Sequence, residues 1–288
     1  MSNHNIDGVL VKLSIRRFQN SKKDKKITDE VVEERSLGEE AGSWRKQKFP
    51  SEALAEIVTL TNKTRSWHYA NSLPWDDGRD LVTNAFLAQY ENGLVEARNE
   101  LGELVAALCR RYDYWIEKAR EMHNGEFDIA DYPTQAQLAE KFSISWEILP
   151  IPQSSALAGL VEKLGEKRAK ELQTRLDAAN NRRMSELVHD VWARVLNPLI
   201  SIASQLTSEK ACFKSNLLDP LRNITSAVPN LNITNDPRLI EMTKEIEAML
   251  DGLSPEALRG SQVLANATAA KALNILNKFG DGGSRSFV

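Results

Sequence analysis

Near the start of the chain Val9, Val11, Leu13 and Ile15 interleave with Leu10, Lys12, Ser14 and Arg16. A period of two is that of a β-strand, whose side chains point to opposite faces in turn, so this stretch predicts a half-buried strand. Ile144, Trp146 and Ile148 alternate in the same way with Ser145, Glu147 and Leu149, and the run ends at Pro150 and Pro152. Proline has no N–H to give a ladder, which closes this second strand. An isolated strand leaves backbone groups unpaired, so the economical expectation is that the two strands pair with each other across the intervening helices.

Between them the spacing is helical. Thr28 is placed to cap a short helix through Glu34, and Ser51 to cap another running to about Asn71, with Leu54, Ile57, Val58 and Thr61 at helical intervals. The turn residues of Asn71–Gly78 interrupt the periodicity. From Arg79 to His123 there is no proline, and Leu81, Ala85, Leu94, Leu101, Val105, Leu108, Tyr112 and Trp115 mark one apolar stripe. At ~1.5 Å per residue that helix spans on the order of 65 Å. Asn124-Gly125 stops it, Asp131-Tyr132-Pro133 turns, and a short helix follows from Thr134 to Phe142.

The longest helical stretch runs from Ser155 to Leu206, with Leu157, Leu160, Leu172, Leu176, Leu187, Val191, Val195 and Leu199 in its stripe and Pro198 predicting a kink or a helix break a little before it. Its apolar spacing is nearer ~3.7 than ~3.5 residues, which favours a local antiparallel pair with the earlier long helix over a regular coiled coil. Shorter helices are expected over 209–227, 236–251 and 255–278, the second opening at Asp236-Pro237. The predicted fold is therefore mainly α: an elongated helical bundle with two long antiparallel helices and a small two-stranded β element. Residues 1–152 form an N-terminal helical region, 153–279 a C-terminal helical region, and the Gly- and Ser-rich 280–288 a flexible tail.

Composition adds bounds. The 288 residues, 42% hydrophobic and 27% charged, can build a core and are not those of a disordered chain. A net charge of −3 supplies no global attraction to nucleic acid or membranes, so such binding needs a local patch. Cys109 and Cys212 lie singly in helical segments, which fits buried thiols better than a disulfide. No apolar run has the ~18 to 20 residues of a membrane helix, and the start lacks a basic region before its short apolar segment. A cytoplasmic location, in a bacterium or a phage-infected cell, is the expectation.

Two segments are rich in capable side chains. His68, Trp75, Asp76 and Asp77 cluster around a turn; adjacent carboxylates near a histidine could hold a metal or act as acid and base. No second histidine stands at ligand spacing, so the turn is read as structural or as a partner contact, with Trp75 docked in the core and Asp76 or Asp77 capping the helix after Arg79. Arg16, Arg17, Lys22, Lys23, Lys25 and Lys26 form a basic run that could contact phosphates, although Asp29, Glu30, Glu33 and Glu34 follow directly. The four histidines are scattered, and no phosphate-cradling glycine motif or nucleophile elbow occurs. No catalytic residue, metal or cofactor is expected.

The opening Asp7-Gly8-Val9-Leu10-Val11, the basic segment leading into Thr28-Asp29-Glu30-Val31, the turn Leu73–Gly78 after His68-Tyr69, and Asp131-Tyr132-Pro133 before Phe142 resemble a family of tailed phages and bacterial genomes that carries no assigned biochemical role. The resemblance covers about residues 6 to 152 and transfers no catalytic residue. Some members of such families are encoded near a MoxR-type AAA ATPase and a von Willebrand A-domain protein; this chain lacks the Walker motif of the first and the D-x-S-x-S metal motif of the second. The resemblance implies an accessory or adaptor role. The leading expectation is a non-enzymatic phage or mobile-element accessory protein acting through protein contacts or self-assembly. The alternative is a DNA-binding accessory factor using residues 16–26, and a third class is an enzyme centred on His68, Asp76 and Asp77.

Overall fold

A computed structural model describes residues 7–38, 40–153, 165–207 and 215–281. The chain opens with β1 (Gly8–Arg16), β2 (Ser21–Lys23), α1 (Lys25–Glu34), β3 (Arg45–Gln47) and α2 (Ser51–Ala70). A hairpin of β4 (Leu73–Asp76) and β5 (Arg79–Thr83) precedes α3 (Asn84–Arg110), α4 (Tyr112–His123), α5 (Gln135–Ala139) and β6 (Ser143–Leu149). The C-terminal part is helical: α6 (Glu166–Leu206), α7 (Asp219–Leu231), α8 (Pro237–Leu250), α9 (Pro255–Gly260) and α10 (Gln262–Phe279).

The fold is mostly helical with a small antiparallel sheet, as the periodicity predicts at that level. The expected neighbours β1 and β6 are adjacent, but the sheet has four strands in the order β4-β5-β1-β6, and β2 and β3 form a separate two-stranded ribbon. The two-stranded element is thus corrected. The two further strands are β4, within the stretch that reads as a turn, and β5, which the helical spacing of Leu81 and Ala85 assigns to the first turn of a long helix. Asp77-Gly78 reverses the chain there, with Gly78 at φ 76, a left-handed conformation that glycine adopts without Cβ strain. Helix α3 accordingly begins five residues later than Arg79, at Asn84.

Pairing places Leu10 opposite Leu81 and Leu81 opposite Leu73, a row of buried leucines across three strands. Val9 and Val82, and Val11 and Asp80, are the alternating pairs. Burial of Leu10 and Val11 together shows that the first half of β1 is covered on both faces, which the alternating pattern did not predict. Gly8 is required by proximity: a Cβ there would sit 2.7 Å from the Val82 carbonyl oxygen.

Two compact units share the chain. The first comprises residues 1–12, 67–90 and 147–288, the second residues 13–66 and 91–146. In the first, the leucine row and Trp75 join Val191, Trp192, Val195 and Leu199 of α6 with apolar residues of α7, α8 and α10. Helix α6 packs on α10, α7 and β4. In the second, Phe49 is the hub: its ring lies 5.7 Å from Phe18, 5.3 Å from Tyr132 and 6.4 Å from Tyr112, amid Leu54, Ile57, Leu101, Val105 and Leu138. The expected antiparallel pair of long helices is therefore corrected. The buried positions of α3 at Leu101, Val105 and Leu108 serve one core and those of α6 from Met184 to Leu206 serve the other. An apolar stripe states that a helix has a covered face and leaves the identity of the cover open.

Several boundaries also differ. Asp24, rather than Thr28, caps α1, accepting from the Ile27 N–H at 3.1 Å. Arg111, at φ −104 and ψ 18, separates α3 from α4. Thr134 caps α5 in a full capping box with Gln137, but that helix ends at Ala139. Helix α6 runs without a break through Pro198, and Pro229 lies inside α7. The stretch predicted as one helix over 255–278 divides at Ser261, whose extended backbone and side chain cap α10. The predicted starts at Ser155 and 209, Cys212, and the tail from residue 282 lie outside the described residues.

Candidate functional site

His68 occupies the last turn of α2 and is buried. Its Nδ1 lies 2.7 Å from the Tyr90 hydroxyl and its Nε2 2.9 Å from Asp80 Oδ2. With Asp80 ionised, Nε2–H donates to the carboxylate and Nδ1 accepts from Tyr90, a chain in which every member is satisfied. Burial, reinforced by the Asp80 charge, pushes the Tyr90 phenol far above its ordinary range. Trp67 stacks on Tyr90 with centroids 5.2 Å apart, and Ser72 Oγ donates to the His68 carbonyl at 2.7 Å. A line of carboxylate, imidazole and phenol could in principle relay a proton. Tyr90, however, is 0% exposed, so a substrate cannot reach the end of the line. The chain ties α2, β5 and α3 together.

The other turn residues do not join His68 in one cluster. Trp75 is buried, with the Arg183 guanidinium 5.5 Å from its ring. Asp76 takes Arg79 through both carboxylate oxygens, at 2.8 and 2.6 Å. Asp77 is exposed at the hairpin tip. The expected capping of a long helix by Asp76 or Asp77 is corrected: the following element is a strand, and Asp76 pins its hairpin. Asp77-Gly78 carried that signal. The partners Asp80 and Tyr90 had no local pattern by which to be found.

The basic segment is answered by an acidic one about a hundred residues later. Lys22 pairs with Asp131, Lys26 with Glu126 at 3.3 Å, and Lys46 lies 4.0 Å from the other Asp131 oxygen. The Lys22 hydrogen bond, with the nearby lysine charges, holds the Asp131 carboxyl below its ordinary value. His123, at the end of α4, donates from Nε2 to the Gln47 carbonyl at 2.6 Å, and the Tyr132 hydroxyl donates to the carbonyl of Lys48, just past the ribbon, at 2.8 Å. Arg16 bonds Ser143 Oγ at 2.9 Å, and Arg17 bonds Thr61 Oγ1 and Asn62 Oδ1 at 3.3 and 3.2 Å. Lys23 and Lys25 are exposed and make no ion pair among the described residues.

A third location was not singled out by sequence. The first turns of α2 contribute Glu52 and Glu56, the end of α3 contributes Leu104 and Leu108, and the joint to α4 contributes Arg111, Tyr114 and Trp115 to a cavity of about 300 Å3. The joint explains the geometry. Arg111 stands three and four residues before Tyr114 and Trp115, helical neighbours, so its guanidinium lies 4.6 Å from both ring centroids. The rings themselves meet edge to face at 4.9 Å. Glu52 and Glu56, one turn apart, share a face of α2. Lys118 is engaged by Glu121 at 2.6 Å, whereas Glu52, Glu56 and Arg111 make no ion pair among the described residues. The cavity presents two open carboxylates, a pre-oriented guanidinium and aromatic surface. That is an equipment for recognising a polar or charged side chain, with no group of metal-ligating residues among those described.

The chain matches no protein-family model, no curated protein and no solved structure.

Proposed function

We propose that this chain is a non-enzymatic accessory protein of a phage or mobile element that works through protein–protein contacts, self-association included. The observation that supports contact most directly is the cavity at the joint of α2, α3 and α4. It holds Glu52, Glu56 and Arg111, which make no ion pair among the described residues, beside Tyr114, which is 44% exposed. Aromatic and arginine side chains on a firm backbone are the usual anchors of protein interfaces. The phage context, and an AAA ATPase or von Willebrand A-domain protein as partner, rest on the resemblance of residues 6 to 152 alone.

A second reading, a DNA-binding accessory factor using residues 16–26, keeps support from Lys23 and Lys25, which are exposed and make no ion pair among the described residues. Its electrostatics are modest. With Lys22 and Lys26 neutralised, four cations of the six remain, and counterion release scales with each phosphate neutralised, at a slope of about −0.9 per contact. Purification of the tagged chain from the cells that express it, with and without nuclease, tests the two. The protein-contact reading expects a stoichiometric protein or a second copy retained after nuclease. Retention of nucleic acid alone, released by nuclease, would displace it in favour of the second reading.

A further inference from the structure

We infer that the cavity between α2, α3 and α4 receives a basic side chain of a partner protein, an arginine in preference to a lysine, held by Glu52 and Glu56. This rests on the protein-contact reading. The lining holds two carboxylates and one guanidinium, and Lys118, whose ammonium also feels Glu52 and lies 6.0 Å from the Tyr114 ring, is engaged by Glu121, so the local balance is acidic. Arg111 does not discharge them: it lies over Tyr114 and Trp115, and no ion pair within 4.0 Å joins it to either glutamate. Its position on the rings is favourable by itself, and it leaves the carboxylates solvated and available.

Geometry selects the cation. Side chains one helical turn apart have Cβ atoms about 5 to 6 Å apart, a separation that a planar guanidinium spans with its donors directed to both carboxylates. An ammonium is a point charge and would serve one at a time. Ile57 and Leu104 supply apolar surface for the methylene stem, which arginine buries while its head stays polar. The volume of about 300 Å3 admits one such side chain and its hydration.

The probe is the blocked tripeptide acetyl-Gly-Arg-Gly-amide, followed through the Trp115 indole N–H resonance, which is assigned with Trp115→Phe. A saturable shift is expected. It should weaken at least tenfold with the citrulline counterpart, weaken several-fold with the lysine one, and vanish in Glu52→Gln/Glu56→Gln; both glutamates are exposed, so the melting temperature should hold. Absence of a saturable shift overturns the inference, as does a shift that survives the double substitution or is equally strong with citrulline or with acetyl-Gly-Glu-Gly-amide. The last result would make Arg111 the recognising group instead. A protein partner that is captured equally well by Glu52→Gln/Glu56→Gln overturns this site and leaves the protein-contact reading standing. A saturable, glutamate-dependent peptide shift with no captured partner counts against that reading and not against the site.

Discussion

Trp75 and Asp131 show what single side chains contribute. Trp75 is 5% exposed and belongs to the same core as Val191 and Trp192, so Trp75→Ala should destabilise by roughly 3 to 5 kcal/mol, as other large-to-small core changes do. Asp77, exposed at the neighbouring hairpin tip, should tolerate Ala within about 0.5 kcal/mol. Urea unfolding of the two variants checks the contrast. That Trp75 is buried was legible, because a lone large aromatic among turn residues has little else to do. The partner of Asp76 was not, because an Arg79 on a helix and an Arg79 on a strand look alike in sequence. Asp131 makes a pH prediction. Its carboxyl is depressed in the folded chain, so the stability it supplies is complete above its unfolded value of about 4 and is lost as pH falls through the folded value below that. The urea midpoint of the wild type should exceed that of Asp131→Asn at pH 6, and the gap should close as the pH is lowered toward 2.5. A gap that stays constant would mean that Lys22 and Lys46 do not depend on the charge.

Elements were legible where a local cap or a strict period marked them. The extents of α2 and of α8, which opens on Asp236 accepting from the Arg238 N–H at 2.9 Å, lie close to expectation. Strand β5 was missed because Leu81 and Ala85 fit the helical stripe that continues through α3; the decisive residues were Asp77 and Gly78, outside the stripe. Gly8→Ala tests the resulting sheet. Its new Cβ would press on the Val82 backbone across the β1–β5 pair, and the strands must separate locally to admit it. A loss of roughly 1 to 3 kcal/mol is expected, in the range of overpacking. Faster amide exchange should appear at Val9 and Val82. Unchanged stability and exchange would mean that β1 does not approach β5 as closely as described.

For the molecule, the class of fold was legible and its organisation was not. Hydrophobic periodicity identifies helices, but it does not say which stripes share a core, so two long helices that serve different cores read as a pair. The interleaving of the units also bears on where the chain can be cut. A fragment ending at residue 152 keeps Phe49, Leu101, Trp115 and Leu138 together, while Leu10, Leu73, Trp75 and Leu81 lose the α6 residues that cover them. Such a fragment should retain the aromatic contacts around Phe49 and aggregate through the stripped leucine row; a soluble, cooperatively folded fragment would contradict the shared core. Cavity chemistry was the least legible level of all. Arg111 sits more than fifty residues from Glu52 and Glu56 in sequence, and each of the three by itself looks like a solvated helix residue.

The central claim, contact with a protein at the α2–α3–α4 joint, is tested most directly by photo-crosslinking in the cells that express the chain. A photoreactive p-benzoylphenylalanine replaces Ala55, exposed on α2 between Glu52 and Glu56, or, as a control in the other unit, Val263, which is 81% exposed. The account predicts a discrete crosslinked protein from position 55, resistant to nuclease and lost in Glu52→Gln/Glu56→Gln, with none of that product from position 263. The same product from both positions, or none from position 55, would contradict it.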